Sequence, residues 1–171
     1  MSVFPCEIHQ VSLHIDDERR FLDNIRQVSR DYASIIVLLN ADNMAGVAHV
    51  ESAILHAFRA YKEKTCISNS LEMEALLYAA GSRQCSIATR FGIHRGLNRV
   101  YLCICPPDNQ VWDHLFPRVT EVWEDWELID AGKAGRLMEL FSITPEELSV
   151  VGAGGIRDLV LERVALLEVY R

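Results

Sequence analysis

Two short apolar runs, Ala33 to Leu39 and Val100 to Cys105, constrain the fold of this chain more than any other feature. Both are rich in β-branched residues and too short for a core helix. Turn formers close them: Asn40-Ala-Asp-Asn43 after the first, Pro106-Pro107 after the second. They read as buried strands. Helical spacing follows the first, where Val47, Val50, Ile54 and Phe58, joined by Ala57 and Tyr61, form one stripe of a helix from about Met44 to Lys64. The expected class is therefore mixed α+β: a small central sheet of about four strands packed with about seven or eight helices, in a single domain over residues 1–171.

The remaining elements follow from periodicity and caps. Residues 3–15 alternate in part and read as one or two strands; Asp16 then caps a helix carrying Phe21, Leu22, Ile25 and Val28. Asn69, three residues before Glu72, has capping-box spacing for a helix over Leu71–Ala80, which Gly81 ends. A short helix is expected from Ser82 to Phe91, another near Asp108–Phe116, then an extended stretch over Val119–Ile129 and a helix around Lys133–Phe141. Thr144-Pro-Glu-Glu147 opens a further helix. The last, Ile156 to Tyr170, is apolar on more than one face, as a deeply buried or partner-sharing helix would be.

Composition narrows the function classes. The net charge of −7 argues against a general nucleic-acid binder. Its distribution is uneven: from Ala75 to Pro107 there is no acid, while Arg83, Arg90, Arg95, Arg99 and His94 all fall there. On a helix from Ser82 to Phe91, Arg83, Ile87 and Arg90 would share a face and suit a single strand of nucleic acid. Five cysteines, an odd number in a chain large enough to do without staples, point to a reduced, cytoplasmic protein. Cys103 and Cys105 read as two small apolar residues on one strand face. No apolar run is long enough to cross a bilayer and no secretory leader is visible.

Chemical motifs are absent. Val150-Val-Gly-Ala-Gly-Gly-Ile156 imitates a dinucleotide fingerprint, but Arg157 stands at the third glycine and only 14 residues remain. It reads as a turn before the last helix, where Arg157 and free backbone donors would suit a phosphate. The six histidines, among them His49 and His56 on one helix face with Glu63, show no metal-ligand spacing and read as surface or boundary residues. No catalytic residue, metal site or cofactor is expected.

At Ser68-Asn-Ser-Leu-Glu-Met-Glu-Ala-Leu-Leu-Tyr-Ala-Ala-Gly-Ser-Arg-Gln84 the sequence becomes specific. This block resembles the signature of the TPRKB-like family, the kinase-binding subunit of the KEOPS complex. The strand Val100–Cys105, the Gly-rich turn at 152–155 and the closing helix agree in order and spacing, so the resemblance covers roughly residues 33–168. The first 30 residues and the acidic stretch Glu121–Asp130, with Trp123 and Trp126, lie outside its motifs. The resemblance implies a non-catalytic accessory subunit that docks on the kinase-like ATPase subunit of KEOPS. It also implies binding of tRNA at the CCA end, in support of threonylcarbamoyladenosine modification. The candidate RNA contacts are Asn69, Arg83, Gln84, Arg90 and Arg157. The candidate docking residues are Leu159, Val160, Arg163, Val164 and Leu167 on the closing helix. Two other readings stand beside this one: a pure protein-interaction regulator of the kinase-like subunit without RNA contact, and a small-molecule enzyme whose site carries no motif.

Overall fold

The computed structural model describes residues 4–152 and 155–170. The class is as expected: among the described residues the chain has eight α-helices and one four-stranded antiparallel sheet, which divide between two compact units.

The first unit comprises the chain up to Asn40 together with Gly92–Glu124. It holds β1 (Glu7–Ile15), α1 (Glu18–Tyr32), β2 (Ile35–Asn40), β3 (Gly96–Cys105), α5 (Asn109–Leu115) and β4 (Thr120–Glu121). The sheet order is β2-β3-β1-β4, with every neighbouring pair antiparallel. Alternation in β1 sends Val11, Leu13 and Ile15 to one face, where they meet Val100, Leu102 and Ile104 of β3 and Ile36 and Leu38 of β2. Ile25 and Val28 of α1 and Val111 and Leu115 of α5 close this core. The cap of α1 is Asp17 rather than Asp16: its carboxylate accepts from Arg20 N at 3.1 Å. Of the extended stretch expected over Val119–Ile129, only Thr120–Glu121 forms a strand; beyond it Gln10 of β1 holds the segment through its side chain.

The expectation of five reduced cysteines is corrected in this unit. Cys6 and Cys105 form a disulfide, and Cys103 is a buried thiol. The register that pairs Glu7 with Ile104 puts the residue before β1 beside the last residue of β3. That juxtaposition is set by strand pairing across almost a hundred residues, and spacing within β3 alone carries no sign of it.

The second unit comprises Ala41–Phe91 and the chain from Asp125. It is helical, with α2 (Val47–Glu63), α3 (Leu71–Ala80), α4 (Cys85–Ala88), α6 (Ala131–Leu140), α7 (Pro145–Val151) and α8 (Ile156–Tyr170). Val50, Ala53, Ile54, Ala57 and Ala60 of α2 are buried, as are Ala75, Leu77 and Tyr78 of α3. Thr144 caps α7 as expected, accepting from Glu147 N at 3.1 Å. The cap of α3 is Ser70, accepting from Met73 N at 3.2 Å, so Asn69 is not the capping residue. The helix expected over Ser82–Phe91 is a single turn, Cys85–Ala88, followed by a 3-10 turn over Thr89–Phe91. Arg83 precedes that helix, so Arg83, Ile87 and Arg90 do not share one continuous helical face. His49 is fully buried, against the expectation of a boundary residue. The Gly-rich turn at 152–155 falls partly outside the described residues.

Candidate functional site

Two open grooves in the helical unit gather candidate residues. The first lies where α2 ends and α3 begins. Lys64 adopts the left-handed conformation that ends α2 and turns the chain outward. The loop that follows is folded back by Glu74, a buried carboxylate on α3. It accepts from Ile67 N at 3.0 Å, Ser68 N at 2.9 Å and Ser68 Oγ at 2.9 Å. A buried carboxylate needs such donors, and here the donors are the loop itself. Glu74 is therefore a loop anchor. The resulting groove, of about 520 Å³, is lined by Tyr61, Lys62, Lys64, Cys66, Ser68, Asn69, Ser70 and Leu71. Tyr61, Lys62, Lys64 and Asn69 are all exposed. With Ser70 acting as cap, the Asn69 amide makes no hydrogen bond among the described residues.

The second groove, of about 440 Å³, lies between the end of α3 and the end of α8, lined by Gly81, Ser82, Arg83, Gln84, Arg163, Leu166, Leu167 and Tyr170. Gly81 is left-handed at φ 59°, and a Cβ there would sit 3.1 Å from the Arg163 carbonyl oxygen, so the close approach of α8 needs glycine. Arg83 donates to the Tyr170 carbonyl at 3.2 Å, and Arg163 pairs with Glu147 at 2.6 Å. Gln84 is exposed beside them.

The structure thus brings Arg83, Gln84 and Arg163 together and places Asn69 in the other groove. Arg90 lines neither; it is exposed on the 3-10 turn, and its carbonyl accepts from Asn43 Nδ2 at 2.7 Å. Arg157 is engaged internally. It donates to the carbonyls of Ala45 and Glu127 and pairs with the Glu127 carboxylate, so the phosphate role expected of it does not fit. Of the docking set, Leu159, Val160, Val164 and Leu167 are buried within this unit, and Arg163 is the accessible member. The exposed apolar residues of α8 are instead Leu166, Val169 and Tyr170.

Tyr61, Lys62 and Lys64 are candidate residues of this groove that the sequence alone does not single out. Their signal was two lysines beside a tyrosine at a helix end in an acidic chain, hidden because Tyr61 was assigned to the apolar stripe.

Burial sets the chemistry of two other groups. His49 is pushed down to about 4 by burial. Its Nδ1 accepts from Ala45 N at 2.9 Å and its Nε2 donates to the Ala79 carbonyl at 2.8 Å, an arrangement the neutral ring satisfies. Burial pushes the Cys103 thiol far up, away from thiolate chemistry. Among the described residues no group of three or more His, Cys, Asp or Glu side chains is arranged to hold a metal ion.

Several candidate residues thus lie in open grooves on the helical unit of a mixed α/β chain. Comparison with known proteins gives the family: the model for Kinase binding protein CGI-121 matches residues 15–168, and the chain belongs to that family. It is also similar to the Regulatory protein Cgi121 of Methanocaldococcus jannaschii, with 30% identity over 135 residues, 78% of this chain and 83% of the relative.

Proposed function

We propose that this chain is a non-catalytic, cytoplasmic KEOPS subunit that holds the single-stranded CCA end of tRNA and docks on a kinase-like ATPase subunit, in support of threonylcarbamoyladenosine modification. The observation that carries the RNA half is the groove at Tyr61–Leu71. An exposed aromatic ring offers a stacking platform, two lysines with no acidic partner among the described residues offer phosphate contacts, and the Asn69 amide offers base-edge hydrogen bonds. Arg83 and Gln84, in the second groove, extend the same chemistry toward the end of α8. The docking half rests on the family, described as kinase binding, and on the exposed stripe Leu166, Val169 and Tyr170 beside Arg163.

The test is binding of the purified chain to intact tRNA and to tRNA lacking its CCA end, across a salt series. Affinity that disappears with the CCA and falls as salt rises supports the reading. Equal binding to both RNAs would remove the CCA from it. A second reading, a regulator of the kinase-like subunit with no RNA contact, is favoured by the net charge of −7. Absence of binding to either RNA, with the kinase-like subunit still captured, would establish that alternative.

A further inference from the structure

The edge of the sheet carries a feature that neither groove uses. β4 is the outermost strand and pairs with β1 through Val11–Glu121 and Ser12–Thr120. The ladder runs one residue further, with Val122 N donating to the Gln10 carbonyl at 2.8 Å. Gln10 then clamps this segment with its side-chain amide, which donates to the carbonyls of Val122 at 3.3 Å and Glu124 at 2.9 Å. In an antiparallel ladder the backbone groups of successive residues point to alternate sides. Because Val122 faces β1, the N–H and C=O groups of Glu121 and Trp123 face outward, and Trp123 makes no hydrogen bond among the described residues.

The three tryptophans of the chain differ sharply. Trp112 stacks on His9 with centroids 3.8 Å apart, and Trp126 is 4% exposed, whereas Trp123 is 86% exposed. A tryptophan on a segment clamped in this way has its anchoring geometry already formed, which is the property of interface hot spots. Glu121 and Glu124 flank it in sequence, Glu7 and Glu121 both approach the His9 ring, and Arg99 pairs with Glu124. An acidic edge repels a second copy of itself and attracts a basic strand.

We infer that the β4 edge is a docking site for an extended, basic segment of a partner protein. The segment would add as a strand through main-chain hydrogen bonds to Glu121 and Trp123, with Trp123 as the anchor and the acidic rim selecting lysine or arginine side chains. The probe is a fluorescently labelled decapeptide of alternating Lys and Val, titrated by anisotropy with the full chain. Saturable binding is expected. It should weaken at least tenfold in Trp123→Ala, at least tenfold when alternate peptide nitrogens facing the edge are methylated, and by a smaller factor in Glu121→Gln. The matching Glu-Val peptide should not bind. Circular dichroism of Trp123→Ala checks that the fold is intact, and its tRNA affinity should equal that of the parent chain. No saturable binding, indifference to Trp123→Ala or to methylation, equal binding of the acidic peptide, or loss of tRNA affinity in Trp123→Ala would each overturn the inference.

Discussion

His49 shows how a single side chain ties local structure to stability. Its ring forms a three-ring cluster with Phe91 and Phe141, with centroids 6.3 and 5.6 Å away, and joins the start of α2 to the end of α3 by two hydrogen bonds. Its folded-state pKa, about 4, lies below the ordinary 6.5, so the unfolded chain takes up the proton first as pH falls. The neutral ring's contribution is complete above about pH 6.5 and drains away between there and pH 4, by about 3 kcal/mol at most. Urea unfolding at pH 7.5 and at pH 4.5 measures it, and the part of the pH dependence that disappears in His49→Phe belongs to this ring. The same variant should be about 2–4 kcal/mol less stable at pH 7.5, because the Ala45 N–H and Ala79 C=O are then buried without partners. Sequence reading placed His49 on one helix face with His56 and Glu63, which is correct as spacing. Spacing alone does not say which end of that face lies inside, and the aromatic pair that encloses His49 comes from residues far along the chain.

At the scale of elements, α2 is a long helix without a capping residue of its own. Gly46 occupies the N-cap position at φ 97° and offers no side chain. The helix start is completed from 80 residues away: Glu127 accepts from Val47 N at 2.7 Å, and Arg157 holds the same carboxylate from the other side. A Cβ on Gly46 would push that carboxylate away from Val47 N, and the positive φ favours glycine there. Glu127→Ala should lower stability by about 1–2 kcal/mol, the usual worth of a helix cap, and Gly46→Ala by more, both read from thermal denaturation. The disulfide acts on the other unit. Closing a loop of 99 residues, it should contribute about 2–4 kcal/mol, so Cys6→Ser should melt lower and its melting temperature should no longer respond to a dithiol reductant. Strands and helices were legible because apolar period and caps are local signals. The arginine face over residues 83–90 was not, because Gln84 is extended with its N–H bound to Ser82 Oγ, so the helix begins only at Cys85 and is one turn long. The disulfide and the Glu127 cap were invisible because each joins residues that only tertiary structure brings together.

For the whole molecule, binding of a polyanion by a chain of net charge −7 would depend on where its cations are free. Arg99, Arg157 and Arg163 are each paired with a carboxylate, while Lys62 and Lys64 rim a groove beside an exposed tyrosine. This ranking departs from the sequence, which pointed to Arg83 and Arg90. Lys62→Glu with Lys64→Glu should therefore weaken tRNA binding more than Arg83→Glu with Arg90→Glu, and should flatten the slope of log affinity against log salt by about 1–2. Tyr61→Ala should cost about 1–3 kcal/mol of binding if its ring carries a base, with little change in that slope, because stacking releases no counterions. The docking stripe should separate cleanly from both. Leu166→Glu with Val169→Glu puts charges on the exposed face of α8, and should abolish co-purification with the kinase-like subunit while leaving tRNA affinity unchanged. Filter binding of the tRNA and affinity capture of the kinase-like subunit, run on the same four variants, decide the matter. If both readouts fall together in every variant, the two functions share one surface and the division between the groove at Tyr61–Leu71 and the α8 stripe is wrong. If the arginine pair outweighs the lysine pair, RNA runs along the second groove, and the ranking by free cations fails with it.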